Sequence, residues 1–225
     1  MKLYYNPAST TSRPVWLFIT ENKVPCELQV VDLQTGEHLK PEYAQINPSH
    51  LVPALQDGDF QLTEGSAILK YLADKIDSPL YPKELKARAR VNERMDWFNT
   101  QMNRELCYGF VYPQILAHHK RQPDEAHAAT IAWGKKNAQK WLQVLNDHML
   151  GADNAYVCGK DITIADYFGA AIVTLGELTG SDFLAYPNVK RWLDRVKQLK
   201  TWKEVHQVFD GYAAHLKGTP GLQAI

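Results

Sequence analysis

The period of the apolar residues changes once along the chain, and that change limits the folds open to it. Up to about residue 77 short β-rich runs alternate with helix-length stripes, and from Glu84 onward only long helical periods remain. Residues 2–5 (KLYY) form a β-rich run closed by Asn6-Pro7. Residues 12–23 carry Val15, Trp16, Phe18 and Ile19 on one helical stripe, and Pro14, tolerable only in a first turn, puts the helix start close to Ser12. Residues 27–31 (ELQVV) read as a second strand, and β-α-β implies a parallel pair with a right-handed crossover. A loop and a short helix over 40–46 end at Asn47-Pro48. Residues 52–55 and 60–62 flank Asp57-Gly58-Asp59, a hairpin signal, and 64–75 returns to helix with Ile68, Leu69, Tyr71 and Leu72 on one face. The order is β-α-β-α-β-β-α.

Beyond Asp77-Ser78-Pro79 helices are predicted near 84–119, 124–149, 163–178, 189–199 and 202–216. The predicted architecture is a small α/β domain over 1–78 and an all-helical domain over 86–217. Thr163-Ile164-Ala165-Asp166 is a capping box, a structural feature rather than a catalytic one.

Charge and cysteine usage narrow the functional classes. Lys+Arg and Asp+Glu both number 25, so the net charge is zero and the basic excess expected of a nucleic-acid or anionic-membrane binder is missing. Lys83, Lys86, Arg88 and Arg90 read as a solvated helix face. Cys26, Cys107 and Cys158 lie far apart without a CxxC pair, which argues against a disulfide framework or a zinc site and fits a reducing compartment. The first ten residues, MKLYYNPAST, lack the apolar stretch of a secretory signal, and no run is long enough to span a membrane. A soluble, cytoplasmic protein is expected.

Five blocks carry a resemblance: YYNPASTTSRPV (4–15), VDLQTGEHLKPEYAQINPSHLVPAL (31–55), LTEGSAILKYLAD (62–74), LKARARVNERMDW (85–97) and GKDITIAD (159–166). In this order they resemble the cytosolic glutathione transferases, most of all the theta and delta classes, with some features of bacterial beta-like relatives. The resemblance implies a thioredoxin-like N-terminal domain, an all-helical C-terminal domain and a homodimer. It also implies glutathione as co-substrate, no metal, and conjugation of the glutathione sulfur to small hydrophobic electrophiles.

That chemistry needs a thiolate. A cysteine-like thiol with a pKa near 8.5 is only about 3% ionised at pH 7, and lowering the pKa by two units takes about 2.7 kcal/mol of preferential stabilisation of the anion. A hydroxyl donor supplies part of this, and a helix N-terminus supplies more. In theta- and delta-like enzymes the donor is a serine in a pattern resembling S-x-P-C-R. Ser9 aligns with it, although Thr11 and Ser12 replace the proline and cysteine. Four consecutive hydroxyls keep Thr10, Thr11 and Ser12 open as alternatives, and Tyr4 or Tyr5 would serve in tyrosine-using classes. Ser12 also suits a helix cap. The stretch holds no cysteine, which argues against a mixed-disulfide mechanism.

By the same resemblance Pro53 is cis and Val52 pairs its backbone with the glutathione cysteine. Glu64, Gly65 and Ser66 hold the γ-glutamyl end at a helix start, and His38 and His50 face the glycine carboxylate. Gly65 stands where the family often has serine. Thr10, Thr11, Tyr108 and Tyr112 are assigned to the electrophile pocket, with Trp97 and Phe110 as further candidates. Pro113 should kink their helix, and Arg104 is a candidate partner for a carboxylate. Two other readings share these residues: a binding or regulatory protein without turnover, and a glutathione-dependent peroxidase.

Overall fold

The computed structural model describes residues 1–225. Strand β1 (Lys2–Tyr5) runs into helix α1 (Ser12–Glu21), and β2 (Glu27–Val30) returns beside β1. A single turn, Glu37–Leu39, and the short α2 (Pro41–Ala44) lead to the hairpin β3 (Ala54–Asp57) and β4 (Phe60–Thr63), followed by α3 (Gly65–Lys75). The sheet order is β2-β1-β3-β4. β1 is parallel to β2 and antiparallel to β3, with Leu3 opposite Leu28 on one side and Leu55 on the other. Asp57 pairs Phe60, so the hairpin turns on Gly58-Asp59, and Gly58 adopts a positive φ of 64°.

All later elements are helical: α4 (Leu85–Trp97), a continuation with wider π-type turns over Phe98–Val111, α5 (Tyr112–Ile115), α6 (Asp124–Val144), α7 (Ile164–Val173), α8 (Pro187–Val196) and α9 (Trp202–Leu216). The long helix expected over 84–119 runs from Leu85 to Ile115, with its hydrogen-bond pattern changing at Phe98 and again at Tyr112. At Tyr112 the backbone N–H bonds the Cys107 carbonyl, five residues back rather than four. Pro113 falls where the wide-turn stretch passes into α5, with helical backbone on both sides of the junction. This stretch lies backbone to backbone on α6: a Cβ on Gly134 would sit 2.3 Å from the Gly109 carbonyl, so Gly134 is the residue that lets the two helices touch.

One apolar core runs through both halves, joining Leu3, Phe18, Leu55 and Ile68 to Phe98, Phe168 and Trp192. Inside it Asp166 is fully buried and accepts from the Thr163 N–H (2.8 Å) and hydroxyl (3.0 Å), the Val157 N–H (2.9 Å) and the Trp192 indole N–H (2.9 Å). The capping box thus doubles as the polar anchor of α8. Lys83 and Arg88 both bind Asp74, at 2.6 and 2.8 Å, and Arg90 pairs with Glu93, which accounts for much of the charged run after residue 80.

His206 is buried with its ring stacked on Trp202, the centroids 3.6 Å apart. Burial, helped by the charge of Arg13, pulls its pKa down to about 2, so the folded protein holds it neutral. An unfolded chain protonates it near pH 6.5. The folded pKa is the lower one, so this contribution to stability is complete above pH 6.5 and drains away as the pH falls below it. The loss is about 1.4 kcal/mol per pH unit. Thermal unfolding between pH 7 and 5 should show this slope, and His206→Phe should flatten it. Identical acid slopes in the two proteins would rule the assignment out.

Candidate functional site

The turn from β1 to α1 is built by Asn6. Its side chain accepts the Ala8 N–H (2.9 Å) and donates to the Val31 carbonyl (2.9 Å), and its carbonyl accepts the Ser9 N–H (3.0 Å). Helical hydrogen bonding then begins at Ser9, whose carbonyl accepts the Arg13 N–H (3.1 Å) and whose hydroxyl oxygen accepts the Ser12 N–H (3.2 Å). Ser9 thus braces the turn that leads into α1, whose N-cap position is held by Thr11 rather than by Ser12.

The remaining hydroxyls are committed elsewhere. Ser12 is fully buried, and its oxygen faces the Asn6 N–H at 3.4 Å. Thr10 is buried with its hydroxyl 2.8 Å from that of Tyr112, and the Thr11 hydroxyl donates to the Val52 carbonyl at 3.1 Å. Tyr5 lies in the core against Trp16, and the Tyr4 hydroxyl donates to Gln56 at 3.2 Å.

A second wall comes from the loop before β3. The Asn47 amide and the Tyr43 hydroxyl both donate to the Leu51 carbonyl, at 2.7 and 2.8 Å. This brace sets the Val52-Pro53 peptide, which is cis, and presents His50 at a positive φ of 56°. The His50 ring nitrogen Nδ1 lies 2.8 Å from the His38 carbonyl, while Nδ1 of His38 is buried without a partner. The two histidines are thus coupled.

The third wall is the start of α3. Glu64 takes a left-handed φ of 65°, unusual away from glycine and typical of ligand-holding positions. Its carbonyl accepts the Ile68 N–H, so the N–H groups of residues 65–67 are the unpaired donors of a helix start. Gly65 packs on the hydroxyl loop so closely that a Cβ there would lie 2.8 Å from the Thr11 carbonyl oxygen. That contact explains the glycine.

These walls enclose one cavity of about 430 Å³, lined by all twelve residues assigned from the sequence: Ser9, Thr10, Thr11, His38, His50, Val52, Pro53, Glu64, Gly65, Ser66, Tyr108 and Tyr112. Of the other aromatic candidates, Trp97 packs on Phe98 and Trp141, and Phe110 is fully buried, so neither reaches the cavity. The wide turns of 98–111 rotate Phe110 into the core. Arg104 also lies outside it, paired to Glu105 at 2.8 Å.

No motif in the sequence marks the rest of the lining. Asn99 and Asn103 come from the wide-turn stretch, His118 and His119 from the turn after α5, and Ile115, Leu175, Phe209 and Tyr212 supply apolar surface. Tyr108 meets Tyr112 edge-on at 5.1 Å and His119 at 5.5 Å. Burial raises the Tyr112 phenol well above its usual value, and burial first, then His118, lowers His119.

A thioredoxin-like sheet domain joined to a helical domain, with a hydroxyl-rich loop and a cavity at the seam, defines a two-domain thioredoxin-like fold. The comparisons place it further. Residues 3–79 match the model of the glutathione S-transferase N-terminal domain and residues 111–200 that of the C-terminal domain. The chain is 36% identical to human glutathione S-transferase theta-1 over 220 residues, 92% of this chain and 88% of that one. It superposes on a delta-class glutathione transferase of Nilaparvata lugens with a TM-score of 0.82 and 32% identity, covering 96% of this chain and 98% of that one. Human glutathione transferase theta-2, solved in complex with glutathione, gives a TM-score of 0.81 at 30% identity, covering 99% and 92%. The chain belongs to the glutathione S-transferase family.

Gly65→Ala should force α3 away from the hydroxyl loop. A loss of about 1–3 kcal/mol in unfolding free energy is expected, together with a raised KM for glutathione. Unfolding and kinetics like those of the parent protein would show that the Gly65–Thr11 contact is not a constraint.

Proposed function

We propose that the protein binds glutathione in this cavity and conjugates it through its sulfur to small hydrophobic electrophiles, as a homodimer in the cytoplasm. The observation that carries the reading is the state of the Ser9 hydroxyl. Its oxygen accepts the Ser12 N–H at 3.2 Å, and its proton faces only the Thr11 hydroxyl oxygen at a long 3.4 Å, a contact that a thiolate in the cavity would replace. Thr11 spends its proton on Val52, and Thr10 is tied to Tyr112. Ser9 also stands at the positive end of α1.

In this reading the Val52 backbone pairs with the cysteinyl unit of the tripeptide as an added strand. The unpaired N–H groups of Gly65 and Ser66, with Glu64, hold the carboxylate and ammonium of the γ-glutamyl end. His38 and His50 meet the glycine carboxylate. The thiol proton leaves to solvent, Ser9 donates to the sulfur anion, and the anion forms a C–S bond to an electrophile held against Tyr108, Tyr112, Ile115 and Phe209 as its leaving group departs or its epoxide or activated double bond opens. The similarity to a human theta-2 enzyme solved with glutathione supports the choice of co-substrate.

Ser9→Ala should raise the pH at which bound glutathione ionises and lower kcat for conjugation by about 10²-fold, with little change in KM for glutathione. The check is the thiolate absorbance of the bound tripeptide against pH. A titration curve that does not move would transfer the role away from Ser9.

A further inference from the structure

Arg13 follows Ser9 by one turn of α1, and its guanidinium is wholly buried. Its Nη2 donates to the Ala171 carbonyl at 3.4 Å, while Nε and Nη1 have no partner at all. The cation lies 3.8 Å from the centre of the Phe209 ring, and Phe209 is part of the cavity lining. No carboxylate bonds to it. Burial draws its pKa down to about 10, well above neutrality, so the charge persists. An unpaired buried charge is a liability that folded proteins rarely keep without a use.

We propose that Arg13 is an electrostatic positioning residue of the conjugation reaction, its counter-charge being the sulfur anion that forms above Phe209. This rests on the glutathione-binding reading. Arg13 does not touch the substrate. It acts through the low-dielectric interior, beside Ser9, whose carbonyl accepts its own backbone N–H at 3.1 Å. The groups facing it from the neighbouring elements are Cys107, Tyr112, Glu177, His206 and Asp210. Burial keeps the Cys107 thiol, the Tyr112 phenol and the His206 imidazole neutral, and neither the Glu177 nor the Asp210 carboxyl bonds the guanidinium. His206 presents it with a neutral, unpaired Nε2. The thiol proton goes to solvent, the electron pair stays on sulfur, and the buried charge favours that anion over the neutral thiol.

The test is the ionisation of bound glutathione in four proteins. Arg13→Gln removes the charge, and His206→Glu supplies it with a carboxylate partner. Each should raise the midpoint by about one pH unit and lower kcat/KM about tenfold below that midpoint, while KM for glutathione moves little. Arg13→Lys should titrate like the parent. A merely structural arginine would lower the unfolding temperature and leave the midpoint in place. An unmoved midpoint in Arg13→Gln, or a full shift in Arg13→Lys, overturns the proposal. If Arg13→Gln fails to fold, an unmoved midpoint in His206→Glu overturns it alone. Calorimetry of glutathione binding to the parent protein separates this from failure of the parent reading, since loss of the present proposal leaves binding intact.

Discussion

Helix α1 is packed on every side. Val15, Leu17 and Phe18 are fully buried, in one core with Leu3 and Leu55 of the sheet and with Phe168 of α7 and Phe209 of α9. Because both halves of the molecule close on the same helix, its first turn cannot shift without disturbing both. At about 25 cal/mol per Å² of apolar surface, a buried phenylalanine or leucine contributes roughly 2 kcal/mol. Several such residues hold the N-terminus of α1 in place. Ser9 owes its position to that packing: it accepts the first N–H of a helix that neither domain lets move.

The same constraint explains how two surfaces of different chemistry come together. The polar walls of the cavity, the cis Val52-Pro53 segment and the start of α3, belong to the thioredoxin-like half. The apolar wall belongs to the helical half. Thr10 and Tyr112 join the two across the seam with one hydrogen bond of 2.8 Å between residues 102 positions apart. The contact of Gly65 with the Thr11 carbonyl closes the other side. The hydroxyl loop is thereby clamped between α3 and α5, and a rigid donor loses little entropy when it meets the sulfur.

The sheet half was legible because its signals are local. Asp57-Gly58-Asp59 between apolar runs allows little but a tight hairpin, and Pro14 admits only a helix start. The hydroxyl loop was legible in place but not in register, since any of four consecutive hydroxyls could cap a helix or face a ligand. Burial sets Thr10 and Ser12 apart from Ser9 and Thr11, and for Thr10 it depends on a partner 102 residues away, Tyr112. The electrophile wall was the least legible part. Trp97 and Phe110 were assigned to it on a regular helical period, and the wide turns of 98–111 turn Phe110 inward and bring Asn99 and Asn103 to the cavity. His118 and His119 stand in an irregular turn, where no period exists to read.

The most direct measurement is a crystal structure of the protein with glutathione bound. The sulfur should lie within hydrogen-bond distance of the Ser9 hydroxyl oxygen, with the cysteinyl backbone paired to Val52 and the γ-glutamyl carboxylate at the start of α3. A sulfur lodged against Thr11 or the Tyr112 hydroxyl, out of reach of Ser9, would contradict the assignment on which the chemistry depends.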